Sequence, residues 1–138
     1  MQRRPAPSAI RRPDVVAVEV ANRSGVEVDV EAAVALTRDV LAGEAIAEGE
    51  VGLSFVDPQE MQRLKREHLG VDEPTDVLSF PIDGREELPE GVPRQLGDAV
   101  VCPQVAGDAW RRPLVHGLLH LLGYEHGREM SAREECYL

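Results

Sequence analysis

The chain has 138 residues, 43% of them hydrophobic and 29% charged. That fits one domain with one core and leaves no room for a second substrate domain. The formal charge is −10; Arg3, Arg4, Arg11 and Arg12 put +4 into residues 1–13, so residues 14–138 carry −14. So acidic a body repels bare phosphate backbones at long range, which excludes a broad nucleic-acid-binding face and confines any such role to a local site.

Residues 1–13, with Arg pairs and three prolines, have nothing to bury and are expected to form a disordered arm. A single folded domain is expected over 14–138. The start lacks the apolar stretch of a secretory signal, and no run reaches the ~18 apolar residues of a membrane span. Cys102 and Cys136 lie too far apart for a CxxC-type pair. Two such thiols fit a reducing cytosol, so a cytoplasmic protein is expected.

VVAVEV (15–20) reads as a strand. Asp29 then caps a helix with apolar positions Val30, Ala33, Val34, Thr37, Val40 and Leu41, the stripe of a helix laid on a sheet. Gly43 weakens its end. EVGLSFVD (50–57) alternates as a second strand. Asp57, Pro58 and Glu60 mark the start of a second helix, with Met61, Leu64 and His68 or Leu69 inward and Gly70 at its end. PTDVLSFP (74–81) is a third strand, 82–96 a surface loop and GDAVVCP (97–103) a fourth strand. Pro113 fits the first position of the major helix, which runs to Gly123. The tail forms a last short helix, where Ser131 and Glu134 fit a capping box. The order β-α-β-α-β-β-α-α predicts an α+β fold: a small four-stranded mixed sheet with helices packed on it, the last two strands antiparallel.

Three of the four histidines fall within eleven residues, His116, His120 and His126. Helical residues advance about 100° each, so His116 and His120 share one face about 40° apart. Continuing the helix would turn His126 away, about 240° round from His120. Gly123 permits the chain to end the helix and return His126. Burying three unpaired imidazoles is costly, so the spacing H-x3-H-x2-G-x2-H points to a metal, with a fourth position open to water as in catalytic zinc sites. Metzincin proteases share this spacing but place a general-base Glu after the first His; here that residue is Gly117. Glu125 is the nearest acid in sequence and keeps a metallopeptidase as a rival reading. A second rival is a non-catalytic protein with structural zinc, its fourth ligand Cys136.

HGLLHLLGYEH (116–126) strongly resembles the signature of the YbeY endoribonucleases, and PTDVLSFP (74–81) and LGDAVVCPQVA (96–106) agree in order and spacing. The resemblance covers roughly residues 50–130. It implies a small metallohydrolase-like α+β domain and a zinc-dependent, single-strand-specific endoribonuclease, with one Zn2+ per chain on His116, His120 and His126. It further implies work in 16S rRNA 3′-end maturation and ribosome quality control, with single-stranded rRNA and the ribosomal small subunit or its bound proteins as partners. Many relatives carry an Arg shortly before the PTDVLSF strand. Leu69 takes that place here, and Arg66, one turn earlier, is the candidate substitute. Asp98, opening the fourth strand, is a candidate catalytic residue or a turn cap. Ser79 and Phe80 resemble a position near the family's cleft. His68 and Trp110 are expected to be an exposed helix residue and a packing residue.

Overall fold

The computed structural model describes residues 16–69 and 75–138. The expected arm and Gly70 lie outside these residues. Among them the order is β1 (Val16–Arg23), α1 (Val30–Gly43), β2 (Gly49–Val56), α2 (Pro58–Leu69), β3 (Val77–Pro81), β4 (Gln95–Val101), α3 (Pro103–Ala106), a 3-10 turn (Gly107–Ala109), α4 (Arg111–Leu121) and α5 (Arg128–Cys136). The strands lie in the order β1-β2-β4-β3. β1 runs parallel to β2 and β2 to β4, while β3 pairs antiparallel with β4 from Val77↔Val101 to Pro81↔Gly97. This is the expected mixed α+β sheet, with β3 at one edge.

The caps follow the chemistry of their side chains. Asp29 accepts from the Ala32 amide at 3.0 Å, and Asp57 from the Glu60 amide at 2.8 Å, with Pro58 opening α2. α1 buries Ala33, Leu36, Thr37, Val40 and Leu41. Its inner stripe is turned toward Leu36, which leaves Val30 exposed.

α1 and α4 cover one face of the sheet. Leu36, Val40 and Leu41 meet Leu114, Leu118 and Leu119 over Val51, Leu53, Phe55, Ala99 and Val101. α2 covers part of the other face, where Met61 and Leu64 pack on Val56, Leu78, Val100 and Cys102. Each fully buried Leu of α4 contributes about 1.5–3 kcal/mol. α4 is apolar round most of its circumference, with Pro113, Leu114, Val115, Gly117, Leu118, Leu119 and Leu121 buried. The stripe left over is Arg112, His116 and His120, spaced by four.

β1 runs on to Arg23, β4 opens at Gln95 inside the expected loop and α4 ends at Leu121, and three further boundaries differ from the expected ones. The fourth strand ends at Val101, and Pro103 opens the short helix α3 with Cys102 as its N-cap. α4 begins at Arg111, so Pro113 sits inside the first turn rather than at its start. A first-turn amide has no partner within the helix, so proline is tolerated there. α5 begins at Arg128, and Ser131 donates its amide to the Gly127 carbonyl at 3.1 Å. Ser131 is therefore an interior residue and forms no capping box.

Candidate metal centre

The centre begins with the way α4 ends. The Gly123 amide donates to the His120 carbonyl at 3.0 Å, and the Tyr124 amide reaches back to the Leu119 carbonyl at 3.1 Å. This is a Schellman motif, which needs a left-handed residue at its turn. Gly123 supplies it with φ +97. The chain then doubles back and brings His126 against the helix, as the spacing requires.

The three Nε2 atoms converge. His116 and His126 are 3.0 Å apart, His116 and His120 3.1 Å, and His120 and His126 3.2 Å. Zinc bound tetrahedrally at 2.0–2.1 Å has ligand atoms about 3.3 Å apart, so this set has the right size. The far side of two rings is occupied. The Nδ1 of His116 lies 2.8 Å from Glu134 Oε1, and the Nδ1 of His120 lies 2.9 Å from the Tyr124 carbonyl. Those acceptors put the proton on Nδ1 and leave Nε2 with its lone pair facing the centre. Several lone pairs aimed at one point repel unless a cation sits between them, so the donor set fits a divalent metal. Burial lowers the pKa of His120, and the neighbouring His116 and His126 push it the same way, while the bond to Tyr124 opposes them. Its imidazole is thus held in the neutral form that ligates metal.

Gly117 faces the sheet. A Cβ there would stand 2.8 Å from Val77 Cγ2 and 3.2 Å from Ser79 Oγ. Ser79 donates to the Gly117 carbonyl at 2.8 Å, locking β3 to α4. The position that holds the metzincin base is here a buried packing point. Cys136 is exposed, with its thiol 3.5 Å from the Ala132 carbonyl, and does not join the histidines.

Cavities flank the cluster on both sides. One of about 330 Å³ is lined by Asp76, Val77, Arg112, Pro113, His116 and Glu134. Another of about 490 Å³ includes Arg85, Tyr124, Glu125, His126 and Arg128. Arginines thus stand beside the histidines within a strongly acidic chain.

The structure brings His116, His120 and His126 together. Arg66 stands exposed on α2, across the sheet from α4. Asp98 is exposed, with its carboxylate over Gly52, while the next residue, Ala99, points toward α4. Neither is grouped with the histidines. Leu69 is exposed at the end of α2. Phe80 packs on the α2 side with His68 edge-on at 5.1 Å, and Trp110 packs against the main core.

Sequence reasoning missed Glu134, Tyr124 and, behind them, Glu44. The chemistry demands an acceptor for each ligating imidazole. Glu125, Glu129, Glu134 and Glu135 answer that demand equally well in sequence, and only the docking of α5 selects Glu134. Glu44 is buried, and its carboxylate accepts from Tyr124, Tyr137, Arg133 and Arg85. Burial raises its pKa, but the bonds from Tyr137, Tyr124 and Arg133 outweigh this and hold it below the usual carboxylate value.

A mixed four-stranded sheet with two imidazoles on one packed helix and a third returned by the loop after it defines a small α+β metallohydrolase-like domain. The profile of the family described as Endoribonuclease YbeY matches residues 19–136. The chain is 35% identical over 139 residues to Endoribonuclease YbeY of Salinispora tropica, covering 86% of this chain and 88% of that one. It is 40% identical over 136 residues to the Acidothermus cellulolyticus relative of the same name, covering 85% and 83%. The solution structure of TM1509 from Thermotoga maritima, 24% identical, shares the fold with a TM-score of 0.53 over 87% of this chain and 85% of that one. The chain belongs to the YbeY endoribonuclease family, and as such is a nuclease acting on RNA phosphodiester bonds. No helix among the described residues is long and apolar enough to cross a membrane.

Proposed function

We propose that this chain is a cytoplasmic, zinc-dependent endoribonuclease specific for single-stranded RNA, acting in maturation of the 16S rRNA 3′ end and in ribosome quality control. Its catalytic unit is residues 14–138, and it works on or near the ribosomal small subunit. The observation that carries the metal is the convergence of three Nε2 atoms, two of them oriented by acceptors behind the rings. His116, His120 and His126 hold one Zn2+. When bound, the ion lowers the pKa of a water and polarises a phosphoryl oxygen.

The chain's own groups set the conditions for that chemistry. Glu134 and the Tyr124 carbonyl keep two rings in the ligating tautomer. Gly117 and Ser79 fix α4 against the edge strand, so the rings project from a rigid helix. Arg112, ion-paired with Glu135, lines one flank and Arg128 the other, so a strand lying across the centre meets guanidinium groups set among the acids Asp76, Glu134, Glu125 and Glu129. A single strand bends its phosphates toward such a spot, whereas a stiff duplex also meets the acidic surroundings. Attraction to naked RNA is therefore weak, and selectivity comes from docking on the small subunit.

The test compares cleavage of free 16S-derived RNA with cleavage of assembled 30S particles, using zinc-loaded protein and a His116→Ala control. Slow, poorly selective cleavage of free RNA and faster, site-specific cleavage of the particle are expected. Fast, site-specific cleavage of free RNA refutes the docking reading, and cleavage of neither substrate refutes the nuclease reading. The peptidase alternative is disfavoured by the packing of Gly117, and the structural-zinc alternative by the position of Cys136.

A further inference from the structure

Two helix ends meet behind the histidines. α1 closes with the same motif as α4: the Ala45 amide donates to the Ala42 carbonyl at 3.0 Å and the Ile46 amide to the Leu41 carbonyl at 2.8 Å. The left-handed position is here an alanine, Ala45, with φ 63. A side chain in that conformation is strained, and such strain persists only where the surroundings enforce it. What it secures is the residue before it, Glu44, at the C-cap of α1.

The Glu44 side chain is only 2% exposed and gathers groups distant in sequence. Oε1 accepts from the Tyr124 hydroxyl at 2.7 Å and from Arg85 at 3.1 Å. Oε2 accepts from Arg133 Nη2 at 2.6 Å and Nε at 2.9 Å, and from the Tyr137 hydroxyl at 2.5 Å. Tyr137 gets this close because Gly43 has no side chain: a Cβ there would lie 2.6 Å from Tyr137 Cε1.

Two of these arms, Tyr124 and Arg133, lead to the metal centre. Tyr124 carries the carbonyl that accepts from His120. Arg133 precedes Glu134, the acceptor for His116. Met130 is the one buried residue of α5, so apolar packing alone anchors that helix weakly. The carboxylate of Glu44 is what joins the loop after α4 to α5 and both to the end of α1.

We propose that Glu44 is a positioning residue for the histidine centre: through Tyr124 and Arg133 it fixes the two acceptors that set the ring orientation and tautomer of His120 and His116. It touches neither metal nor substrate. The proposal rests on the metal-dependent reading above and extends it to a residue some seventy positions before the first ligand.

The test uses the full chain with Glu44→Gln, which keeps the shape and removes the charge. Nitrogen chemical shifts of His116 and His120 in metal-free protein at pH 8 report the tautomers. Titration with Co2+, followed by visible absorption, reports the site. The wild-type protein is expected to hold both rings as Nδ1–H. Glu44→Gln is expected to mix the tautomers and weaken Co2+ binding about tenfold, the low end for a partner lying behind the ligands. A purely structural role would lower the unfolding temperature and leave the tautomers and Co2+ affinity of the folded protein unchanged; that result overturns the proposal. Should Glu44→Gln not fold, Tyr124→Phe removes one hydroxyl and leaves Glu44 its other partners. A loss of the single His120 tautomer with weaker Co2+ binding is expected there, and an unchanged ring overturns the proposal. Wild-type protein that binds no Co2+ overturns the metal reading itself, a result separable from wild-type binding with an indifferent Glu44→Gln variant.

Discussion

On the α4 face of the sheet, the helix is pressed so close to β3 that a Cβ at residue 117 would collide with Val77, and His116 and His120 both have acceptors behind their rings. On the α2 face, Arg66, Asp98 and His68 stand at the exposed surface, and the ion pairs Arg23–Glu60 and Arg63–Glu67 are largely solvated. Exposed pairs of that kind contribute about 0–1 kcal/mol. The difference teaches where this small domain concentrates its order. Ligand geometry must be held to a fraction of an ångström, and only the densely packed face has the neighbours to hold it. Charge on the other face serves solubility and caps, and sequence proximity to a family motif does not carry it into the centre.

The largest expected effect is the loss of one ligand. His120→Ala removes an Nε2 from a three-atom set, and zinc affinity should fall by far more than the 10–100-fold typical of losing a partner behind a ligand. RNA cleavage should drop to background. Elemental analysis that still finds one zinc per chain in this variant would break the comparison at its centre.

Next comes the packing point. Gly117→Glu restores the metzincin pattern in sequence, but in this fold it drives a side chain into Val77 and Ser79 and a charge into the interface. Destabilisation of about 3 kcal/mol or more is expected, read from the denaturant midpoint, with no gain of peptidase activity. A stable Gly117→Glu variant would mean that α4 is free to lift from β3, and the contrast between the faces would be lost.

Gly123→Val tests the turn. Open space surrounds a Cβ there, so the cost is backbone strain alone, about 1–2 kcal/mol for an L-residue held at positive φ. The folded fraction should bind zinc less tightly, because His126 is returned by this turn. Unchanged affinity in isothermal titration would show that the loop finds another route.

These cases also mark what was legible in the chain. The histidine set, Gly123 and the hairpin of β3 and β4 were readable because each rests on local spacing: a helical turn, a left-handed glycine, two apolar runs around a loop. The start of α4 was misplaced because Pro113 obeys a rule that allows any position in the first turn, and tertiary packing chose among them. Glu134 and Glu44 were not legible. Each is one acid among many in an acidic chain, and only the docking of α5 against the ends of α1 and α4 distinguishes it.

The smallest expected effect is on the open face. Asp98→Ala removes a carboxylate from β4, a strand within one of the family-like stretches of the sequence, yet that carboxylate lies over Gly52 at the surface while Ala99 points toward α4. Exposed substitutions away from caps and buried networks change stability by about 0.5 kcal/mol or less. Asp98→Ala should therefore leave zinc stoichiometry intact and change kcat/KM on a free single-stranded oligonucleotide by less than about twofold, a barrier change of roughly 0.4 kcal/mol. Measuring kcat and KM separately sharpens the result. A fall in kcat of tenfold or more, with KM unchanged, would mean that Asp98 acts in the reaction itself, and the sheet could no longer be treated as dividing a catalytic face from an inert one.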